Sequence, residues 1–158
     1  MNCKYTNNYF KFASSEKYFY FCDMKKIKRR SDCPINFALE VFGDKWTLLI
    51  IRDMMFKGKY SYGEFAKSEE KIATNLLADR LCLLEETGIV LKTVDPTHGS
   101  KFIYTLTSKG IDLLPLLLDM ILWSAKYDET TAADKDFVNR ASTDREGLIA
   151  EIYAQLNN

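Results

Sequence analysis

Histidine and cysteine are too sparse in this sequence, and too scattered, for a zinc site. There is one histidine, His98, and four cysteines, Cys3, Cys22, Cys33 and Cys82, with no CxxC pair among them. The ligand spacing of a structural zinc is therefore missing. Proline and glycine are scarce too, at 3 and 7 residues, which excludes a collagen-like or low-complexity chain. No apolar run reaches the roughly 18 residues that a membrane helix needs. The longest stretches, Ile111–Trp123 and Trp46–Phe56, are shorter and carry charge. The N-terminus lacks the aliphatic stretch and small-residue cleavage site of a secretory signal, so a cytoplasmic protein is expected. No nucleophile–base pair, phosphate-binding loop or carboxylate pair stands out, so no enzyme, cofactor or metal is expected. Excess charge is also lacking: 22 basic residues balance 22 acidic ones. Only the distribution of charge can then point to a polyanionic partner.

What is present is core-forming material. Hydrophobic residues make up 47% of 158 residues, enough for one domain with short extensions. Residues 1–23 read as an N-terminal extension rich in Tyr, Phe, Asn and Lys, and Met24 is the expected natural start. Residues 24–127 read as the main domain and residues 128–158 as a C-terminal helical extension. Lys25–Arg30 (KKIKRR) is basic. It has two readings, a solvated leader or an arm beside a phosphate backbone.

From Cys33 the pattern is helical. Pro34 suits a first helical position, and a helix over Ile35–Phe42 ends at Gly43. Asp44 can cap a second helix over Lys45–Phe56, with Trp46, Leu49, Ile50 and Met54 as its stripe. Ser61 and Glu64 form a capping box opening a short third helix to about Ser68. A fourth helix spans Ala73–Thr87, its core face set by Leu77, Leu81 and Leu84. Two strands, Ile89–Val94 and Lys101–Leu106, flank the turn Asp95–Ser100. A long helix over Ser108–Lys126 follows, with Pro115 expected to kink it. After the polar stretch Asp128–Asp134, a last helix is expected to start at a capping box on Thr143.

Short helix, turn, second helix and hairpin make a winged helix-turn-helix. The fold class is mainly α with a small β-hairpin (α+β). An α-helix fits the major groove of B-DNA, where base edges are distinguishable. Thr74 and Asn75 sit where they reach base edges, and Ala78 permits close approach. Asp79 shares that outer face. Arg80, Lys92, His98 and Lys101 are candidates for phosphate or minor-groove contacts. Each also has a bland reading. Thr74 and Asn75 also suit a plain helix start, Arg80 suits an ion pair with a nearby Glu, and Lys101 suits an edge-strand charge.

The run Cys33-Pro34-Ile35 with Gly43-Asp44-Lys45-Trp46-Thr47-Leu48-Leu49-Ile50-Ile51-Arg52 resembles the opening signature of the HxlR family of bacterial winged-helix regulators, which are MarR-like. Further matches in order are Phe65, the run from Ile72 to Leu81, Leu84-Glu85-Glu86-Thr87-Gly88-Ile89-Val90, and Tyr104-Thr105-Leu106-Thr107-Ser108-Lys109-Gly110. The resemblance covers about Cys33–Trp123. It implies a cytoplasmic homodimer binding double-stranded operator DNA, usually as a repressor. It also implies a dimer interface from the first helix and the long helix after the wing, on Phe37, Val41, Leu114, Leu118, Ile121 and Leu122. The family's usual short-helix Arg is absent, so phosphate contact there falls to Lys59 or Lys67. The wing offers His98 and Lys101 where many members have Arg.

Cys33 matches the position that some members use as a thiol sensor for disulfide stress or electrophiles. Basic residues precede it, and positive charge beside a thiol favours the reactive thiolate. A buried small hydrophobe is the other reading of Cys33. Oxidation of Cys82, on the outer side of the fourth helix, would block DNA sterically. In the absence of a secretion signal the cysteines are expected to be reduced. Two further functions stay open: a winged-helix protein–protein module, and a regulator gated by a small apolar effector in a dimer cleft near Trp46 and Trp123.

Overall fold

Helix α1 (Pro34–Phe42) opens on Pro34, whose missing N–H costs nothing in the first turn. The computed structural model describes residues 30–157. The 1–23 extension, the start at Met24, Cys3, Cys22 and the basic segment up to Arg29 lie outside the described residues. Gly43 ends α1 as expected, but by close approach rather than by a left-handed turn. Its φ is −77°, and a Cβ there would overlap the Leu39 carbonyl.

Helix α2 (Thr47–Lys57) starts two residues later than the sequence indicates, because the Asp44 cap takes the first turn for itself. Asp44 Oδ1 accepts from the backbone N–H of Trp46 at 2.7 Å and of Thr47 at 3.1 Å, and Oδ2 accepts from the Thr47 hydroxyl. Gly58, at φ 60°, closes α2 in the left-handed conformation that glycine adopts without steric cost. Helix α3 (Tyr62–Ala66) opens on the expected Ser61–Glu64 capping box and is shorter than expected. Helix α4 (Thr74–Glu86) buries Leu77, Leu81 and Leu84, as its spacing requires.

Strands β1 (Val90–Val94) and β2 (Phe102–Leu106) pair antiparallel, Val90 opposite Leu106 and Val94 opposite Phe102. The far edge of β2 is also paired. Ser61 bridges Ile103, and the Tyr104 N–H donates to the Tyr60 carbonyl at 2.7 Å. The segment before α3 thus fixes the base of the wing.

The long helix is interrupted. It is two helices, α5 (Ser108–Ile111) and α6 (Leu114–Tyr127), with Pro115 in the first turn of the second. Proline lacks the N–H that would bond one turn back, and its ring crowds that carbonyl. The chain therefore breaks at Asp112–Leu113 instead of kinking. The C-terminal residues form α7 (Lys135–Thr143) and α8 (Arg145–Leu156). The cap of α8 is Asp144, which accepts from the Gly147 N–H at 3.2 Å, and not Thr143, whose hydroxyl bonds back to Asn139.

One core holds these elements together. Ile51, Phe65, Leu77, Leu81, Leu84, Leu114 and Leu118 are its most enclosed apolar side chains. Ala141, Leu148 and Ile152 of α7 and α8 belong to the same cluster. Phe137 meets Phe56 edge-on at 6.0 Å, and Arg145 pairs with Asp119 at 2.8 Å. Residues 128–157 are thus packed on the domain.

Candidate nucleic-acid interface

The two helices of the helix-turn-helix share the core through Phe65 and Leu77, and one hydroxyl adds a polar link. Tyr62 Oη donates to the Thr74 carbonyl at 2.8 Å, which fixes the start of α4 against α3. Nothing in the sequence marks this contact, since the partners lie 12 residues apart. Thr74, Asn75, Ala78 and Asp79 are all exposed, on the side opposite the buried leucines. Ala73 supplies no side-chain cap. The first backbone N–H groups of α4 therefore point outward without helical partners, as an anion-attracting end.

Arg80 turns the other way. Its Nη1 lies 3.2 Å from Asp44 Oδ2, and its Nε is buried without a hydrogen bond. The sequence points to a glutamate or a phosphate as its partner. The structure instead uses Arg80 to lock α4 onto the turn between α1 and α2. Burial works against the charge of Asp44. Hydrogen bonds from Thr47 and from the Trp46 and Thr47 backbone, with Arg80 nearby, outweigh it and hold the carboxyl below its ordinary range.

Behind this face sits a charged hub. Asp53 is 1% exposed. Its Oδ1 accepts from Arg52 Nε at 2.9 Å and Nη2 at 2.5 Å, and its Oδ2 from Lys59 Nζ at 2.7 Å and the Ser68 hydroxyl at 2.6 Å. Arg52 Nη1 continues to Glu70 at 2.6 Å. The hub ties α2 to the loop before α3 and to the turn before α4. Burial raises the Asp53 carboxyl, yet Lys59, Ser68 and Arg52 together pull it below the usual value. Lys59 is therefore structural, leaving Lys67 as the exposed lysine at α3. Lys71 (φ 52°) is a second exposed lysine in the turn before α4, which the sequence reading missed.

In the wing, Lys92 is not a free contact group. It lies over the Phe102 ring at 4.3 Å and within 4.0 Å of Glu85, at the hairpin base. The tip is ordered by Asp95, whose Oδ1 accepts from the N–H and hydroxyl of Thr97 and from the His98 N–H. His98 and Lys101 both stand exposed there.

The expected dimer residues divide. Val41, Leu114 and Leu118 lie in the protomer's own core, the two leucines at 0% exposure, so they have no surface left for a partner. Burying one side of α6 against α2 and α7 accounts for this. Ile121 and Leu122 are half-buried, and Phe37 is at the edge of exposure. The outward apolar groups are instead Ile35 (69%) and Leu39 on α1, and Leu116, Met120, Trp123 (66%) and Tyr127 on α6. Trp46 and Trp123 line separate depressions. Cys33 is an exposed free thiol at the N-cap of α1, not a buried hydrophobe. Cys82 is half-buried on α4, its Sγ 3.6 Å from Glu86 Oε1.

A model of the HxlR-like helix-turn-helix family matches residues 41–132. YodB, an HTH-type transcriptional regulator of Bacillus subtilis, is 35% identical over 98 residues, covering 61% of this chain and 87% of YodB. Its reduced form aligns with a TM-score of 0.52 at 33% identity, over 63% of this chain and 97% of YodB. The redox regulator HypR, in its oxidised form, aligns with a TM-score of 0.54 at 34% identity, over 60% and 96% of the two chains. The candidate transcription factor PA1607 aligns with a TM-score of 0.59 at 38% identity, over 67% and 72%.

Proposed function

Because the chain belongs to the HxlR-like helix-turn-helix family, we propose that this transcriptional regulator represses by occupying a two-fold-symmetric operator as a homodimer. Helix α4 enters the major groove, with Thr74, Asn75, Ala78 and Asp79 toward base edges. Lys67, Lys71, His98 and Lys101 stand near the backbone. One observation carries the reading: α4 turns a small, polar face outward while every buried group on it serves the core, and its C-terminal end packs on a hairpin whose tip is ordered. The exposed apolar faces of α1 and α6 supply the dimer contact. Two α4 helices related by the dimer axis read half-sites about 34 Å apart.

The test is fluorescence anisotropy of the reduced protein on its own upstream intergenic DNA, across a salt series and against scrambled competitor. Competitor-resistant binding that weakens with salt supports the reading. Equal binding to scrambled DNA sinks it for that target.

The same proposal gives Cys33 the sensing role, through oxidation or addition of an electrophile at its sulfur. It is exposed at the start of the proposed dimer helix. HypR is a redox regulator with an oxidised structure, and YodB has a quinone-bound one. Diamide or quinone treatment should lower operator affinity, and Cys33→Ser should abolish that response. An unchanged wild-type affinity after treatment removes the sensing role.

A further inference from the structure

We infer that α4 reads its half-site through exocyclic amino groups, with Asp79 accepting from cytosine and Asn75 pairing with adenine, and without an arginine–guanine contact. This rests on the DNA-reading function proposed above and specifies its ligand.

Arg80 is the only cation in α4, and the structure removes it from the reading face. Its guanidinium is held by Asp44, with Nε enclosed. The commonest specific contact in the major groove, Arg or Lys with guanine, therefore has no donor on this helix. What faces out is Thr74, Asn75, Ala78 and Asp79. Asn75 and Asp79 are one helical turn apart and neighbours on the surface. Among the described residues the Asp79 side chain makes no ion pair or hydrogen bond.

An unpaired carboxylate between two rows of phosphates is repelled unless it gains a hydrogen bond in return. In the major groove only the amino groups of cytosine and adenine donate, while guanine and thymine present acceptors there. A carboxylate thus accepts one class of edge and repels the other, which is selection by repulsion as much as by attraction. Cytosine is the usual carboxylate partner, and Asn pairs with adenine through its amino group and N7. Ala78, beside Asp79, leaves room for a thymine methyl.

The experiment selects bound duplexes from a randomised pool with full-length wild type, Asp79→Ala and Asn75→Ala. Wild type should enrich symmetric half-sites with a fixed cytosine. Asp79→Ala should lose preference at that position by roughly tenfold or more. It should at the same time bind scrambled DNA more tightly, because a repelled charge is gone. A merely structural role would produce neither change. Thermal melting of Asp79→Ala should match wild type, since the side chain is exposed. Identical selected sequences and identical scrambled-DNA affinity for wild type and Asp79→Ala would overturn the inference while leaving DNA reading intact. If wild type enriches no sequence, the reading function falls and the inference with it.

Discussion

Asp53 shows how much one buried residue can organise. Its carboxylate joins α2, the loop at Lys59 and the turn at Ser68, and its partners arrive from 1 to 15 residues away. Replacing it by Asn keeps the shape and removes the charge, leaving Arg52 and Lys59 without their counter-ion. Breaking such a pair costs about 3–5 kcal/mol when fully buried, and about 3 is expected here because both cations keep some solvent. The pH dependence follows from the sign of the shift. The folded carboxyl sits below its ordinary value, so the stability it contributes is complete above about pH 4, the unfolded value. It is lost as pH falls through the lower folded value. Asp53→Asn should therefore melt earlier at neutral pH and show a shallower loss below pH 4, as read by circular dichroism. The sequence places Asp53 inside an apolar stripe and gives no sign of this hub, because its partners are brought in only by folding. Asp44 was legible as a cap, but its pairing with Arg80, 36 residues on, was not.

Elements with a strong local period were legible: α4 from Leu77, Leu81 and Leu84, and the hairpin from its alternation around Asp95–Ser100. Elements decided by one or two residues were less so. Pro115 signals trouble for a helix, but whether the chain kinks or breaks depends on packing around Leu114 and Leu118. The pairing of Tyr60 and Ser61 with β2 is too short to leave a period. In α7 and α8 the sequence shows an apolar stripe without its destination. That destination is the common core, so Leu148→Ala should cost about 2–5 kcal/mol. Calorimetry should still show a single transition, displaced downward. A separate early transition for the C-terminal helices would contradict their place in the core.

For the whole molecule, the apolar faces of α1 and α6 and the few exposed lysines around α4 and the wing act together. Trp123 is exposed on α6, and its ring lies tilted against that of its helical neighbour Tyr127, at 5.3 Å between ring centroids. Trp123→Asp should yield a monomer by light scattering, whereas wild type should be a dimer. Lys67, Lys71 and Lys101 are the exposed lysines near the proposed duplex. Two protomers then neutralise about 6 phosphates, giving a salt slope of about −5. The Trp123→Asp monomer should show about half that slope. A wild-type slope near −10 would mean that residues beyond these also grip the backbone.

Because Asp95 already binds the Thr97 and His98 backbone N–H groups, the hairpin tip would meet the proposed duplex in its working shape. The entropy of ordering that loop is settled when the chain folds, so association gives up less conformational freedom than a floppy wing would. A preformed tip also has a fixed reach, and it tolerates little variation in the width of the groove beside it. On the proposed function, the same turn that eases docking would make the wing a gauge of DNA shape.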